Sequence, residues 1–152
     1  MFRRVVAMAA TSLLCALTPP VAAAGPSPAD TPPAEGRMLP YTGIVPACDD
    51  GFALARIQRA FSDQESDYWR SGLAIESFVG VRETGLRSNG ASYIPRRYCR
   101  ARALFNDGLE RAVVYELGED LGLIGMGFGV TWCVEGLDRN HAFSPDCKAA
   151  GP

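Results

Sequence analysis

Cysteine placement constrains this chain more than any other feature. Four cysteines, Cys48, Cys99, Cys133 and Cys147, are spread over the C-terminal two thirds of the chain, and a fifth, Cys15, sits in an apolar run near the start. Whether the four are disulfides, metal ligands or free thiols depends on the compartment, which the opening MFRRVVAMAATSLLCALTPPVAAAG addresses. Arg3 and Arg4 form a positive start, Val5 to Leu17 is apolar, Pro19 and Pro20 break the run, and Ala22-Ala23-Ala24 offers small side chains for cleavage. That order of features predicts a secretory signal peptide over residues 1–24. The run is shorter than the roughly 20 apolar residues a spanning helix needs, and no other stretch reaches that length, so the mature protein is expected to lack a transmembrane segment. Leu14 precedes Cys15, where lipoprotein processing wants a small residue. The chain is therefore expected to work in the periplasm or outside the cell.

In an oxidising compartment, an even number of cysteines in a small domain predicts two disulfides. No pair has the close C-x-x-C spacing of a zinc site, and the chain holds one histidine, so neither metal nor cofactor is expected. The net charge is −2 before processing, and the leader takes two arginines with it and no acid. A mildly acidic protein is a poor generic binder of nucleic acid.

Residues 25–47, GPSPADTPPAEGRMLPYTGIVPA, are rich in proline and poor in large apolar side chains, and read as a semi-rigid linker. Residues 48–152 read as one domain. Its core spans about a hundred residues from Cys48 to Cys147, a size at which disulfides help appreciably. Asp49 or Asp50 can cap a helix running to Arg70 and stopped by Gly72, with Leu54, Ile57, Phe61, Glu65 or Gln64, and Tyr68 on one face. LAIESFVGVRE, with Leu73, Ile75, Val79 and Val81, reads as a strand. YCRARALF, the turn Asn106-Asp107-Gly108 and ERAVVYEL form a hairpin signal, and GFGVTWCVEG reads as a fourth strand. The expected fold is α+β: one N-terminal amphipathic helix packed on a four-stranded antiparallel sheet, with two disulfides.

Strand parity bears on the pairing. Cys99, Ala101, Ala103 and Phe105 share one face, opposite Arg100 and Arg102. Cys48 stands just before the helix that this apolar face should meet, which favours Cys48–Cys99. Phe128, Val130, Trp132 and Val134 share a face that Cys133 points away from, leaving Cys133 to catch Cys147.

Several motifs suggest chemistry. GLIGMGFG resembles a nucleotide loop, but a strand follows it where that motif needs a helix, so its glycines are read as places of close approach. Asp138 and His141 could form a general base with Ser144, Ser88 or Ser92 as nucleophile, which would make a small hydrolase using His141. The competing reading gives Asp138 and Arg139 a turn and a salt bridge. Glu116, Glu119, Asp120 and Glu135 could pair as acids, and a solvated turn is the plainer expectation. The densest cluster is RSNGASYIPRRYC, residues 87–99, with Arg100 and Arg102 beyond it. Arginine forks and tyrosines suit an acidic protein cleft or an anionic envelope polymer. Pairing with Glu110, Glu116 or Glu119 on the next strand is the alternative.

The combination of a signal peptide, a C-D-D opening onto a helix, IPRRYC, WCVEGLDRN and PDC resembles a family of small bacterial periplasmic four-cysteine proteins, over essentially Cys48 to Cys147. At least one member is described as an inhibitor of lysozyme-type peptidoglycan hydrolases. Inhibitors of c-type lysozyme also carry a short S-G-x-x-Y loop that plugs the enzyme cleft. Asn89-Gly90-Ala91-Ser92-Tyr93 matches it with Asn in place of Ser, although those inhibitors are β-barrels without a leading helix. The resemblance implies a binding module rather than an enzyme. Its partner surface would be Ser88, Asn89, Gly90, Ser92, Tyr93, Arg96 and Arg97, with the loop entering the cleft and the arginines meeting its carboxylates. An envelope structural protein binding anionic polymer is the alternative.

Overall fold

The structure is a computed structural model that describes residues 41–88 and 94–152. Residues 1–40, which hold the expected signal peptide and most of the Pro-rich stretch, and Asn89 to Tyr93 lie outside the described residues. One helix, α1 (Gly51–Gln64), packs against a four-stranded antiparallel sheet of β1 (Ile75–Arg87), β2 (Arg96–Phe105), β3 (Glu110–Gly118) and β4 (Gly129–Val134), in the order β1-β2-β3-β4. No helix among the described residues is long and apolar enough to cross a membrane.

Asp50 starts the helix: its carboxylate accepts from the Ala53 amide at 2.9 Å, satisfying one of the amides a helix start leaves open. Ala53, Ile57 and Phe61 form the buried stripe. The helix does not run evenly to Arg70. After Gln64 it widens into a π turn, Glu65–Trp69, which ends at Arg70 in the left-handed region (φ 49°) two residues before Gly72. The wider turn breaks the helical phase. Glu65 is buried, while Tyr68, expected on the apolar face, is exposed.

Bulges likewise break the alternation of β1. Its register against β2 slips between Ile75 and Ser77, between Val79 and Arg82, and between Glu83 and Gly85. Each slip swaps the faces. Phe78 and Val81 therefore pack on the core, while Val79, expected inside, is exposed. The β2–β3 turn forms as its residues require. Gly108 takes φ +77°, its amide donates to Phe105 O, and Asp107 accepts from the Leu109 amide and from Arg111. The Arg111 guanidinium, helped by that amide, holds the Asp107 carboxyl below its ordinary value.

The core lies between α1 and one sheet face. Cys99, Ala101, Ala103 and Phe105 meet Val113, Tyr115, Leu117, Val134, Ile57 and Phe61 there, with Phe128, Val130 and Trp132 at its margin. Phe61 contacts Phe105 and Trp132 edge-on, at 5.3 and 5.8 Å between ring centres. Tyr115 is fully buried and donates to Cys48 O at 2.6 Å. Its burial, with the charge of Asp49, pushes its pKa up to about 12.

The two disulfides are Cys48–Cys99 and Cys133–Cys147. The first ties the start of the helix to the core face. The second turns away from that core and draws the C-terminal segment onto the opposite, outer face. There Cys133, Cys147, Val114 and Ala150 form a second buried cluster against Phe143. Disulfides are consistent with an oxidising extracellular or periplasmic environment.

Candidate partner-binding pole

Sheet register decides which connections stand together. Arg87 pairs with Arg96, Arg96 with Gly118, and Gly118 with Gly129. The β1–β2 and β3–β4 connections therefore leave the same end of the sheet. The segment just before the helix joins them. Glu119, buried at the foot of the β3–β4 connection, accepts from the Thr42 amide and hydroxyl at 2.7 Å each and from the Gly43 amide at 2.8 Å. Gly43 lies beside Ser88, Val45 enters the core, and Arg97 donates to Val45 O at 3.3 Å. The end of the Pro-rich stretch is thus fastened to the domain between the two connections. Offered by the sequence as a paired acid, an arginine partner or part of a solvated turn, Glu119 is instead the clasp. Nothing in its own sequence setting signals this, because its partners lie more than 70 residues away.

The β3–β4 connection presents an apolar tip. Leu123, Ile124 and Met126 are 80, 86 and 69% exposed. The tip is closed on itself by Gly122 N–H to Gly127 O, Gly125 N–H to Gly122 O and Met126 N–H to Leu123 O. Ile124 holds φ 56°, a conformation that a β-branched residue adopts only when its surroundings impose it. The glycine-rich motif has two structural roles. Gly125 and Gly127 take positive φ within the loop rather than on a strand. Gly129 admits a close approach, since a Cβ there would lie 2.5 Å from the Leu121 carbonyl oxygen. Arg56 ties the helix to this connection by donating to Phe128 O at 2.7 Å while lying over the Phe128 ring.

Of the residues expected to form a plug, Ser88 is exposed at the base of the β1–β2 connection; Asn89, Gly90, Ser92 and Tyr93 lie outside the described residues. Arg96 and Arg97 open β2 and leave it on opposite faces. Each already holds a carboxylate: Arg96 that of Glu116, Arg97 that of Glu83. Arg100 pairs with Glu135 and Arg102 with Glu110. Cross-strand neutralisation therefore accounts for much of the arginine cluster.

The far end of the sheet carries the Asp138–His141 sequence. Asp138 accepts from the Ala142 and Phe143 amides and so caps its own loop, and His141 is exposed. Arg139 makes a salt bridge with buried Glu65 and lies over the Trp69 ring. Among the described residues, no three His, Cys, Asp or Glu side chains gather as metal ligands. No known protein family, no curated protein and no solved structure matches the chain.

Proposed function

We propose that this protein is an exported, non-enzymatic binding module that docks its loop-bearing pole against a protein partner, and that the partner is a lysozyme-type peptidoglycan hydrolase. The exposed apolar tip at Leu123, Ile124 and Met126 carries this reading. It is an uncharged projection at the end of the sheet from which the β1–β2 connection also leaves, and exposed apolar side chains gathered in this way mark interaction surfaces. The clasp at Glu119 and the disulfide at Cys48 stiffen its base, which lowers the ordering cost of association.

In this reading the loop Ser88 to Tyr93 enters the hydrolase cleft and its polar groups meet the catalytic carboxylates. The tip of the β3–β4 connection packs on the rim. Since Arg96 and Arg97 are already ion-paired, they position the loop base and add little free charge.

The test is a lysis assay with oxidised protein lacking residues 1–24, titrated into a c-type lysozyme acting on a cell-wall suspension. Stoichiometric inhibition that is lost with Tyr93→Ala and weakened with Ile124→Asp is expected. No inhibition at large excess refutes the hydrolase reading, and turnover of cell wall by the protein alone refutes the non-enzymatic one.

A further inference from the structure

The outer face of the sheet carries a second feature, distinct from the loop-bearing pole. Arg82 and Arg100 are directly opposed across β1 and β2. Like charges at such a position repel and destabilise a sheet pair. Only one of the two is neutralised: Arg100 reaches Glu135 at 2.5 Å, while Arg82 has no ion-pair partner among the described residues. Arg102, two residues along β2 on the same face, holds Glu110 only loosely, at 3.4 Å, and its side chain is 66% exposed.

These side chains line a trough. One part, of about 350 Å³, is bordered by Gly80, Arg82, Arg100, Arg102 and Ala112. Gly80 has no side chain and sits at the bulge between Val79 and Arg82, with open space where a Cβ would stand. Arg100 also borders the next part, of about 250 Å³, which runs past Thr84 and Val114 to Lys148 and Pro152 in the C-terminal segment. The cations thus follow one another in the order Arg102, Arg82 with Arg100, then Lys148. Lys148 likewise has no ion-pair partner among the described residues. Alternate side chains on a strand are roughly 7 Å apart. Glu135 and Glu110 are engaged with Arg100 and Arg102, and Asp146 borders the trough near Lys148. In a chain of net charge −2, this is a local surplus of positive charge.

We infer that this trough is a binding site for a linear polyanion, a chain bearing repeated phosphate or carboxylate groups. A single small anion could satisfy the Arg82–Arg100 opposition but would leave Arg102 and Lys148 unused. A chain of oxyanions engages all four in sequence, and guanidinium forks accept either oxyanion. The disulfide Cys133–Cys147 fixes the wall that carries Lys148, so the trough belongs to the oxidised protein.

Calorimetric titration of the oxidised protein tests this, with long-chain polyphosphate, poly-glutamate and inorganic phosphate as probes in 50 mM salt. Binding of either polymer, weakening as salt is raised, is expected; which polymer binds identifies the group recognised. Arg82→Gln with Arg102→Gln lowers polymer affinity about tenfold or more, while Arg59→Gln on the exposed side of α1 leaves it unchanged. Arg82→Gln also raises the thermal midpoint of the ligand-free protein, because the half-exposed Arg100–Glu135 pair relieves the repulsion between Arg82 and Arg100 only in part. Failure of both polymers to bind overturns the inference, as does equal loss of affinity in the Arg59 variant. Inorganic phosphate binding as tightly as the polymers replaces the chain site with a single-anion site. An unchanged or lowered midpoint in Arg82→Gln removes the repulsion on which the site is argued.

Discussion

Arg139→Met tests how the segment after β4 is held to the rest of the domain. The Glu65 side chain is 4% exposed, and both of its carboxylate oxygens accept from Arg139 Nη1, at 3.0 and 2.9 Å. The Ser71 hydroxyl donates to the same carboxylate. The Arg139 guanidinium lies 4.9 Å from the centre of the Trp69 ring. Removing the guanidinium strands a buried carboxylate with one hydroxyl. Breaking a fully buried ion pair costs about 3–5 kcal/mol. Arg139 is 27% exposed, so water reaches the site and screens it, which brings the expected cost to about 2–3 kcal/mol. For a domain of this size, that lowers the thermal midpoint by roughly 10–20 °C.

The assay is urea unfolding followed by tryptophan fluorescence. Trp69 touches Arg139, and Trp132 lines the same cleft, so both tryptophans report on this junction. The pair is separated from general packing by a double-mutant cycle. Glu65→Leu with Arg139→Met removes both charges, and it is expected to cost less than Arg139→Met alone. The coupling energy should be at least about 1 kcal/mol. If Arg139→Met lies within about 0.5 kcal/mol of the parent, or the two substitutions are additive, the buried pair does not anchor the segment and the reasoning fails.

Other perturbations follow from the same structure. Glu119→Ala removes the acceptor of three hydrogen bonds and should expose residues 42–46 to proteolysis and faster amide exchange, at a cost of about 1–2 kcal/mol. Replacing Cys133 and Cys147 by Ala should cost about 3 kcal/mol, and replacing Cys48 and Cys99 about 4 kcal/mol, because Cys48–Cys99 closes the longer loop. Denaturant titrations of each variant under oxidising conditions measure both. Tyr115 holds its proton to about 12 in the folded state, above its unfolded value, so its contribution is complete below pH 10 and lost as pH rises through 12. Circular dichroism during urea unfolding should show that alkaline loss, and Tyr115→Phe should flatten it.

How much of this was legible in the sequence depended on range. The Asn106-Asp107-Gly108 turn, the Asp50 cap and the inward set Cys99, Ala101, Ala103 and Phe105 depend on residues close together in sequence, and strand parity, with Cys48 standing just before the helix, favoured the two disulfides that form. The errors arise where local geometry departs from a fixed period. Bulges in β1 sent Val79 outward, and the π turn after Gln64 took Tyr68 off the apolar face. The sheet end shared by the two connections follows from register, which no single segment encodes. The clasp of Glu119 on Thr42 and Gly43 and the bridge of Arg139 to Glu65 were equally hidden, because each joins residues more than 70 positions apart. For the arginine cluster the sequence offered partner binding and cross-strand pairing as alternatives. The structure supplies pairing for Arg96 and Arg102 with the residues named, and it reveals Arg82, outside the original cluster, as a cation without an ion-pair partner among the described residues.

The two disulfides divide the covering of the sheet between them. Cys48–Cys99 fastens the segment leading into α1 to the core face, and Cys133–Cys147 fastens the C-terminal segment to the outer face. Neither segment is held to its face by a strand ladder, so each depends on side chains for its placement. The first has a second fastening at Glu119, and the second has one at Arg139, where the loop before Cys147 meets Glu65. The fastenings stand at opposite ends of the sheet. Reduction of the first bridge would therefore act on the loop-bearing pole, and reduction of the second on the wall of the arginine trough. A protein that used only its pole would keep partner binding after selective loss of Cys133–Cys147. One that used only its trough would keep polyanion binding after loss of Cys48–Cys99. On the two proposals above, each bridge supports one surface, and removing one bridge is expected to weaken that surface and spare the other.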